Sequence, residues 1–219
     1  MTMIKKNKLA LILSSIIILI PMVIGLLLWN KLPETLPMHW NAAGEVDGYS
    51  GRGMAVFFLP LFMLGMHWFC ILMTSLDPKS KDIGGKTVHL VIWICPFMSL
   101  LTNSFVYSTA LGYELSVNSI MPLFLGLMFL IIGNYLPKCK RNYTIGIKVS
   151  WALEDDGNWT ATHRFAGKVW VIGGAVIMAT AFLGYFIIFI GITMVMALAP
   201  ILYSYLYYRN HEKEKKDGN

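Results

Sequence analysis

Charge is scarce in this chain. Only 14% of its 219 residues are Asp, Glu, Lys or Arg, against 56% that are hydrophobic, and that balance cannot be arranged as a water-soluble globule. The sequence is that of an integral membrane protein. Cysteine is scarce too: of three, Cys70 and Cys95 fall inside apolar runs and Cys139 in a polar connection. With no CxxC spacing, neither a disulfide framework nor a zinc site is indicated. The long apolar runs contain no Asp, Glu, Lys or Arg near their middles, which argues against an ion-coupled pump, since buried charge in a membrane persists mainly where it is used. Internal repeats are lacking as well, so the inverted symmetry of many secondary transporters has no support.

What the chain has is length of apolar sequence. A hydrocarbon core of roughly 30 Å takes about 20 helical residues, and six runs reach that length. The first, Leu9 to Trp29 behind the basic lead "MIKKNK", is too long for a signal peptide and is expected to stay as an anchor. Others cover about Met54–Thr74, Thr87–Leu111 and Val117–Leu136. Lys168–Tyr208 supplies two more spans, joined by a tight turn near Gly184 and Tyr185. The expected fold class is an all-α integral membrane protein of about six transmembrane helices. Residues 1–75 form a first hairpin with an extracellular cap at 31–53, and residues 76–219 a four-helix core with a structured cytoplasmic loop at 137–167.

Orientation follows from Lys and Arg, which cytoplasmic loops retain. With both termini inside, sixteen of the eighteen basic residues face the cytoplasm, leaving only Lys31 and Arg52 outside. The formal charge of +6 then reads as attraction to anionic inner-leaflet lipid. No basic patch with interleaved aromatics stands apart from the membrane ends, which excludes direct nucleic-acid binding. Within the spans, His67, Asn103, Ser104, Asn118 and Asn134 are read as interhelical hydrogen-bonding residues. Pro21, Pro60, Pro96, Pro122 and Pro200 are expected to kink or partly break their helices.

Two wet segments carry the recognisable chemistry. The outer one, "KLPETLPMHWNAAGEVDGYSGRG", is stiffened by Pro33 and Pro37, can anchor Trp40 at the interface, and has turn positions at Gly44 and Gly48. Its polar candidates are His39, Asn41, Glu45 and Asp47. His39, Glu45 and Asp47 are metal-capable types, but their spacing matches no recognised site, and the expectation is no metal and no cofactor.

The inner segment opens with "NYTIGIKVS", whose alternation of Tyr143, Ile145, Ile147 and Val149 with polar or small residues is the period of an extended strand. Lacking a partner strand, it either lies against the bundle or offers its edge to another chain. "EDDGN" follows as a turn and helix start, with Asp155 or Asp156 as cap. Beyond it Trp159, His163 and Gly167 share one helix face, with Arg164 and Lys168 beside them. An amphipathic interfacial helix leading into the fifth span would set Trp151, Trp159 and Trp170 at headgroup depth and make His163 a polar interface residue, not a general base. The segment reads as a docking or switch surface.

"GNYLPKCKRNYTIGIKVSWALEDDGNWTATHRFAGKVWVIGG" resembles the signature of the SdpI family, immunity proteins for the sporulation-delaying-protein toxin of bacteria. The matching positions are Gly133, Asn134, Asn142, Gly146, Trp151, Leu153, Trp159, His163, Arg164 and Gly167. "LPETLPMHWNAAGEVDGY" resembles the amino-terminal domain of unknown function that often precedes it. Where the family commonly has Arg, then Thr or Ser, then Pro, this chain has Lys148, Val149 and Ser150, losing a guanidinium and a rigid ring. The resemblance implies a multi-pass protein of the bacterial cytoplasmic membrane that protects its cell from a secreted toxic peptide. It also implies a small winged-helix autorepressor as an inner-face signalling partner. A transporter would need a polar path that the spans lack. A metal-dependent membrane hydrolase on His39, Glu45 and Asp47 is the remotest alternative.

Overall fold

Six helices in the computed structural model, which describes residues 2–217, are long and apolar enough to cross a membrane: Lys8–Leu27, Met54–Leu76, Gly85–Ala110, Val117–Lys138, Asp156–Leu183 and Phe186–His211. In chain order the elements are α1 (Thr2–Lys6), α2 (Lys8–Leu27), β1 (Thr35–Trp40), β2 (Val46–Gly51), a π turn at Met54–Phe58 running into α3 (Leu59–Leu76), α4 (Gly85–Ala110) and α5 (Val117–Tyr135). After a 3-10 turn at Leu136–Lys138 come α6 (Ser150–Glu154), α7 (Asp156–Thr180), a second 3-10 turn at Ala181–Leu183, and α8 (Phe186–Asp217). The turn between the last two spans falls where expected, at Gly184, whose φ of +70° suits glycine. Pro21, Pro96, Pro122 and Pro200 lie inside continuous helices. Pro60 follows the π turn at the start of α3.

The chain divides into two compact units. One comprises the chain up to Leu76 with Val88–Asn118; the other comprises Asp77–Thr87 with the chain from Ser119 onward. The third long helix thus groups with the first two, whereas the sequence division at 75/76 had it with the later ones. Hydrogen bonds explain the grouping. The Ser99 and Tyr107 hydroxyls of α4 donate to the α2 carbonyls of Ile18 and Pro21, at 3.0 and 3.1 Å. Such carbonyls keep a second lone pair after their helical bond. Gly25 permits the approach, since a Cβ there would lie 2.7 Å from the Tyr107 hydroxyl and 2.8 Å from Val56. The buried residues Leu32, Leu36, Ala55, Val56, Val106 and Tyr107 form the core at this end of the unit.

The second unit is drawn together by glycine. A Cβ on Gly126 would come within 2.8 Å of the Gly174 carbonyl, and one on Gly133 within 3.0 Å of the Gly167 carbonyl, so α5 and α7 meet backbone to backbone in the way small residues allow in membranes. α7 and α8 are tied by polar groups. Asn158 donates to the Ser204 carbonyl at 3.0 Å, its own oxygen accepts from the Ser204 and Thr162 hydroxyls, and all three side chains are fully buried. Trp170 donates to the Met196 carbonyl at 2.9 Å.

Two local expectations are corrected, and the outer cap gains a defined form. The outer segment contains an antiparallel two-stranded hairpin, with Thr35 paired to Gly51 and Trp40 to Val46. Residues 142–149 form no strand but a series of bends; their apolar side chains have no ladder to join and pack instead around Trp159, with Ile145 and Val149 against Cys139 and Ala152. The separate interfacial helix does not exist either. Asp155 caps as expected, accepting from the Gly157 N–H at 2.7 Å, but the helix it starts runs unbroken from Asp156 to Thr180.

Candidate functional site

The bends at 139–149 are organised first by the side chain of Asn142. Asn142, fully buried, donates to the Lys140 and Ile145 carbonyls at 2.8 and 3.0 Å and accepts from the Thr144 and Ile145 N–H groups at 2.9 and 2.6 Å. It thereby replaces the ladder that the bends lack. From outside the loop, Asp77 completes the scaffold. Its carboxylate accepts from the Lys79 and Tyr143 N–H groups at 2.7 and 2.8 Å and from the Thr144 hydroxyl at 2.6 Å. Burial works to raise the pKa of this acid, but those donors outweigh it and hold it below its ordinary value. Burial pushes the Cys139 thiol up, only partly offset by Asn142.

Beneath the loop lie Trp159 and His163, 2% and 1% exposed, stacked with ring centroids 4.0 Å apart. The Trp159 indole donates to the Cys139 carbonyl at 2.8 Å. His163 accepts from the Ile147 N–H on Nε2 at 3.0 Å, so its proton sits on Nδ1, which donates to the Trp159 carbonyl at 2.8 Å. Gly146 makes room for that ring: its φ is +117°, and a Cβ there would collide with His163 Nε2. These two aromatics are therefore the buried floor of the loop and not exposed on the helix surface. The helix face deduced from their spacing is correct, but it points inward.

Other sequence candidates are dispersed. Trp151 is half-buried, its ring 5.6 Å from that of Tyr205 and 6.3 Å from that of Tyr208. Lys148, Arg164 and Asn134 are exposed. Arg141 was not singled out in the sequence, yet it fastens the loop to α7. It donates to the Leu153 carbonyl at 2.7 Å and pairs with Asp156 at 2.6 Å. No local pattern marks Arg141 or Asp77, because each acts on a segment distant in sequence. Above Trp159 opens a cleft of about 390 Å³, lined by Lys79, Lys138, Lys140 and Arg141 together with Asp82, Asp156 and Thr160. Its cationic excess suits anions.

The hairpin is a different kind of site. Asn41 organises the turn, accepting from the Ala43 and Glu45 N–H groups at 2.9 and 3.0 Å and donating to the Glu45 carboxylate at 3.1 Å. Gly44 has φ +87° and lies under Asn118, which donates to the Ala42 carbonyl at 3.2 Å. His39 pairs with Asp47 at 2.5 Å, both exposed, while Glu45 is turned to Asn41. The three metal-capable side chains thus do not converge. Among the described residues no group of three or more His, Cys, Asp or Glu gathers to hold a metal. Trp40 packs on Phe105 at 5.0 Å. At the hairpin's base Arg52 donates to the Trp29 and Leu32 carbonyls at 2.7 and 3.0 Å and lies 4.6 Å over the Trp29 ring, closing the C-terminal end of α2.

Both wet segments fall within matched regions. Residues 138–204 match the SdpI/YfhL protein family and residues 16–64 match a domain of unknown function, DUF1648. The chain is 28% identical over 213 residues to the immunity protein SdpI of Bacillus subtilis (strain 168), covering 94% of this chain and 97% of that one. No solved structure matches. With six helices able to span a membrane and these similarities over both regions, the chain is a multi-pass bacterial membrane protein, and its residues 138–204 are similar to the SdpI/YfhL protein family.

Proposed function

We propose that this protein is an immunity protein, protecting the bacterium that carries it against a secreted toxic peptide. The observation that carries the reading is the similarity to immunity protein SdpI over nearly the whole of both chains. The distribution of Lys and Arg supports a cytoplasmic position for the 137–167 loop and an external one for the hairpin. The hairpin then meets the peptide, presenting His39, Glu45 and Asp47 on a frame fixed by Asn41 and Arg52. No catalytic step is required of either face.

Expression in a toxin-sensitive bacterium lacking its own immunity protein tests this. Growth should persist in the presence of the sporulation-delaying peptide, and lysis despite normal amounts of the protein in the membrane would overturn the reading.

The finer part of the proposal is signalling. A small winged-helix repressor docks on the loop's exposed cations, Lys140 and Lys148, not on the buried Trp159 and His163. Toxin binding would have to favour an arrangement of the protein with higher repressor affinity. The Lys140→Gln, Lys148→Gln double variant should release a co-expressed repressor from the membrane while immunity remains. Undiminished recruitment would remove these lysines from the contact.

A further inference from the structure

A second cavity adjoins the cationic cleft. It is a groove of about 300 Å³ between α5 and α7, lined by Gly133, Asn134, Pro137, Gly167, Lys168, Val171 and Ile172. Pro137 belongs to both linings. The groove exists because the Gly133–Gly167 contact removes two side chains from the helix seam. Its character changes along its length, with Asn134 and Lys168 at one level and Val171 and Ile172 at the next.

The α7 surface shows the same gradient. Asp156, Thr160, Arg164, Lys168 and Ile172, spaced four apart and all exposed, make one stripe along the helix. Of these, Asp156 and Thr160 line the cleft, Lys168 and Ile172 line the groove, and Arg164 lies between the two pairs along the helix. In the cleft Arg141 neutralises Asp156, leaving Lys79, Lys138 and Lys140 against the single carboxylate of Asp82.

We infer that cleft and groove together form a binding site for an anionic glycerophospholipid. The phosphate is held by Lys138, Arg164 and Lys168, and an acyl chain lies over Gly133 and Gly167 beside Val171 and Ile172. Three features favour this occupant. The cations cluster where the apolar span begins, which is headgroup depth. Basic pockets between transmembrane helices accept acidic headgroups. A soluble anion would have no use for the adjoining apolar groove. The inference concerns a lipid site in the helices and stands apart from immunity, so neither assay decides the other.

The test is native mass spectrometry of the full chain in detergent micelles, titrated with phosphatidylglycerol or phosphatidylcholine. The unaltered protein should retain phosphatidylglycerol preferentially. Each cation near a membrane surface contributes roughly a fivefold factor, so the Lys138→Gln, Arg164→Gln, Lys168→Gln triple variant should lose on the order of a hundredfold of that preference. Asn134→Trp, at an exposed position, fills the groove without entering the glycine contact and should weaken binding of both lipids. Glycerol phosphate should not displace the lipid at matched concentration. Full preference in the triple variant would overturn the inference. So would ready displacement by glycerol phosphate together with indifference to Asn134→Trp, which would identify a free-phosphate site instead.

Discussion

The hairpin at 35–51 and the loop at 139–149 are both short wet segments between spans, yet they are built in opposite ways. The hairpin is held by backbone pairing, so most of its polar side chains are released to the surface. The loop has no pairing and is held by side chains, Asn142, Asp77 and His163, which are consequently buried. The contrast separates two uses of polar residues in wet segments. In the loop, Asn142, Trp159 and His163 build the platform, and Lys140 and Lys148 stay exposed around it. In the hairpin, Asn41 and Gly44 build the frame while His39, Glu45 and Asp47 stay at the surface, His39 paired with Asp47 and Glu45 with Asn41.

The largest expected effect tests the loop's dependence on one side chain. Asn142→Ala removes four hydrogen bonds, to two half-buried N–H groups and two carbonyls, and should cost the second unit about 3 kcal/mol. Thermal unfolding in detergent would show it, together with new protease cleavage between Lys140 and Lys148. An unchanged melting profile would mean that the bends hold themselves.

An intermediate effect comes from Asp77. Its pKa is lowered in the folded protein from an ordinary value near 3.8, so its contribution is complete above that pH and declines as the pH falls below it toward the folded value. Loop protection from protease should therefore fall on acidification through this range. Asp77→Asn should cost about 1–2 kcal/mol at neutral pH, as expected for hydrogen bonds to a charged group, and should flatten that acid limb. An acid limb as steep as before would assign it to another group.

The smallest effect is expected at the hairpin surface. His39→Ala and Asp47→Ala break a pair that is 73% and 43% exposed and should change stability by less than about 0.5 kcal/mol. Loss of toxin protection without loss of stability would sharpen the comparison. A large loss of stability would erase it by making the hairpin's polar residues structural as well.

The spans were legible because hydrocarbon thickness fixes helix length, and the Gly184 turn because forty apolar residues are too many for one crossing. The hairpin was not: Pro37 and Trp40 interrupt the simple alternation of a strand, and pairing needs a partner whose register no single segment carries. In 142–149 the alternation was genuine, but it recorded apolar side chains packing around Trp159 and not a strand. The roles of Arg141 and Asp77 in the loop were invisible because Arg141 reaches 12 to 15 residues along the chain and Asp77, besides its local bond to Lys79, reaches 66 to 67.

Sequence alone determined how many helices can cross, where the wet segments fall and which face Trp159 shares with His163, since helix periodicity and the exclusion of charge from lipid are local properties of a chain. Tertiary structure decided which way that face points, and hence that its aromatics support a loop instead of meeting a partner. The reason is that a buried polar group is set by the distant donors and acceptors that satisfy it, and those come together only when the chain folds.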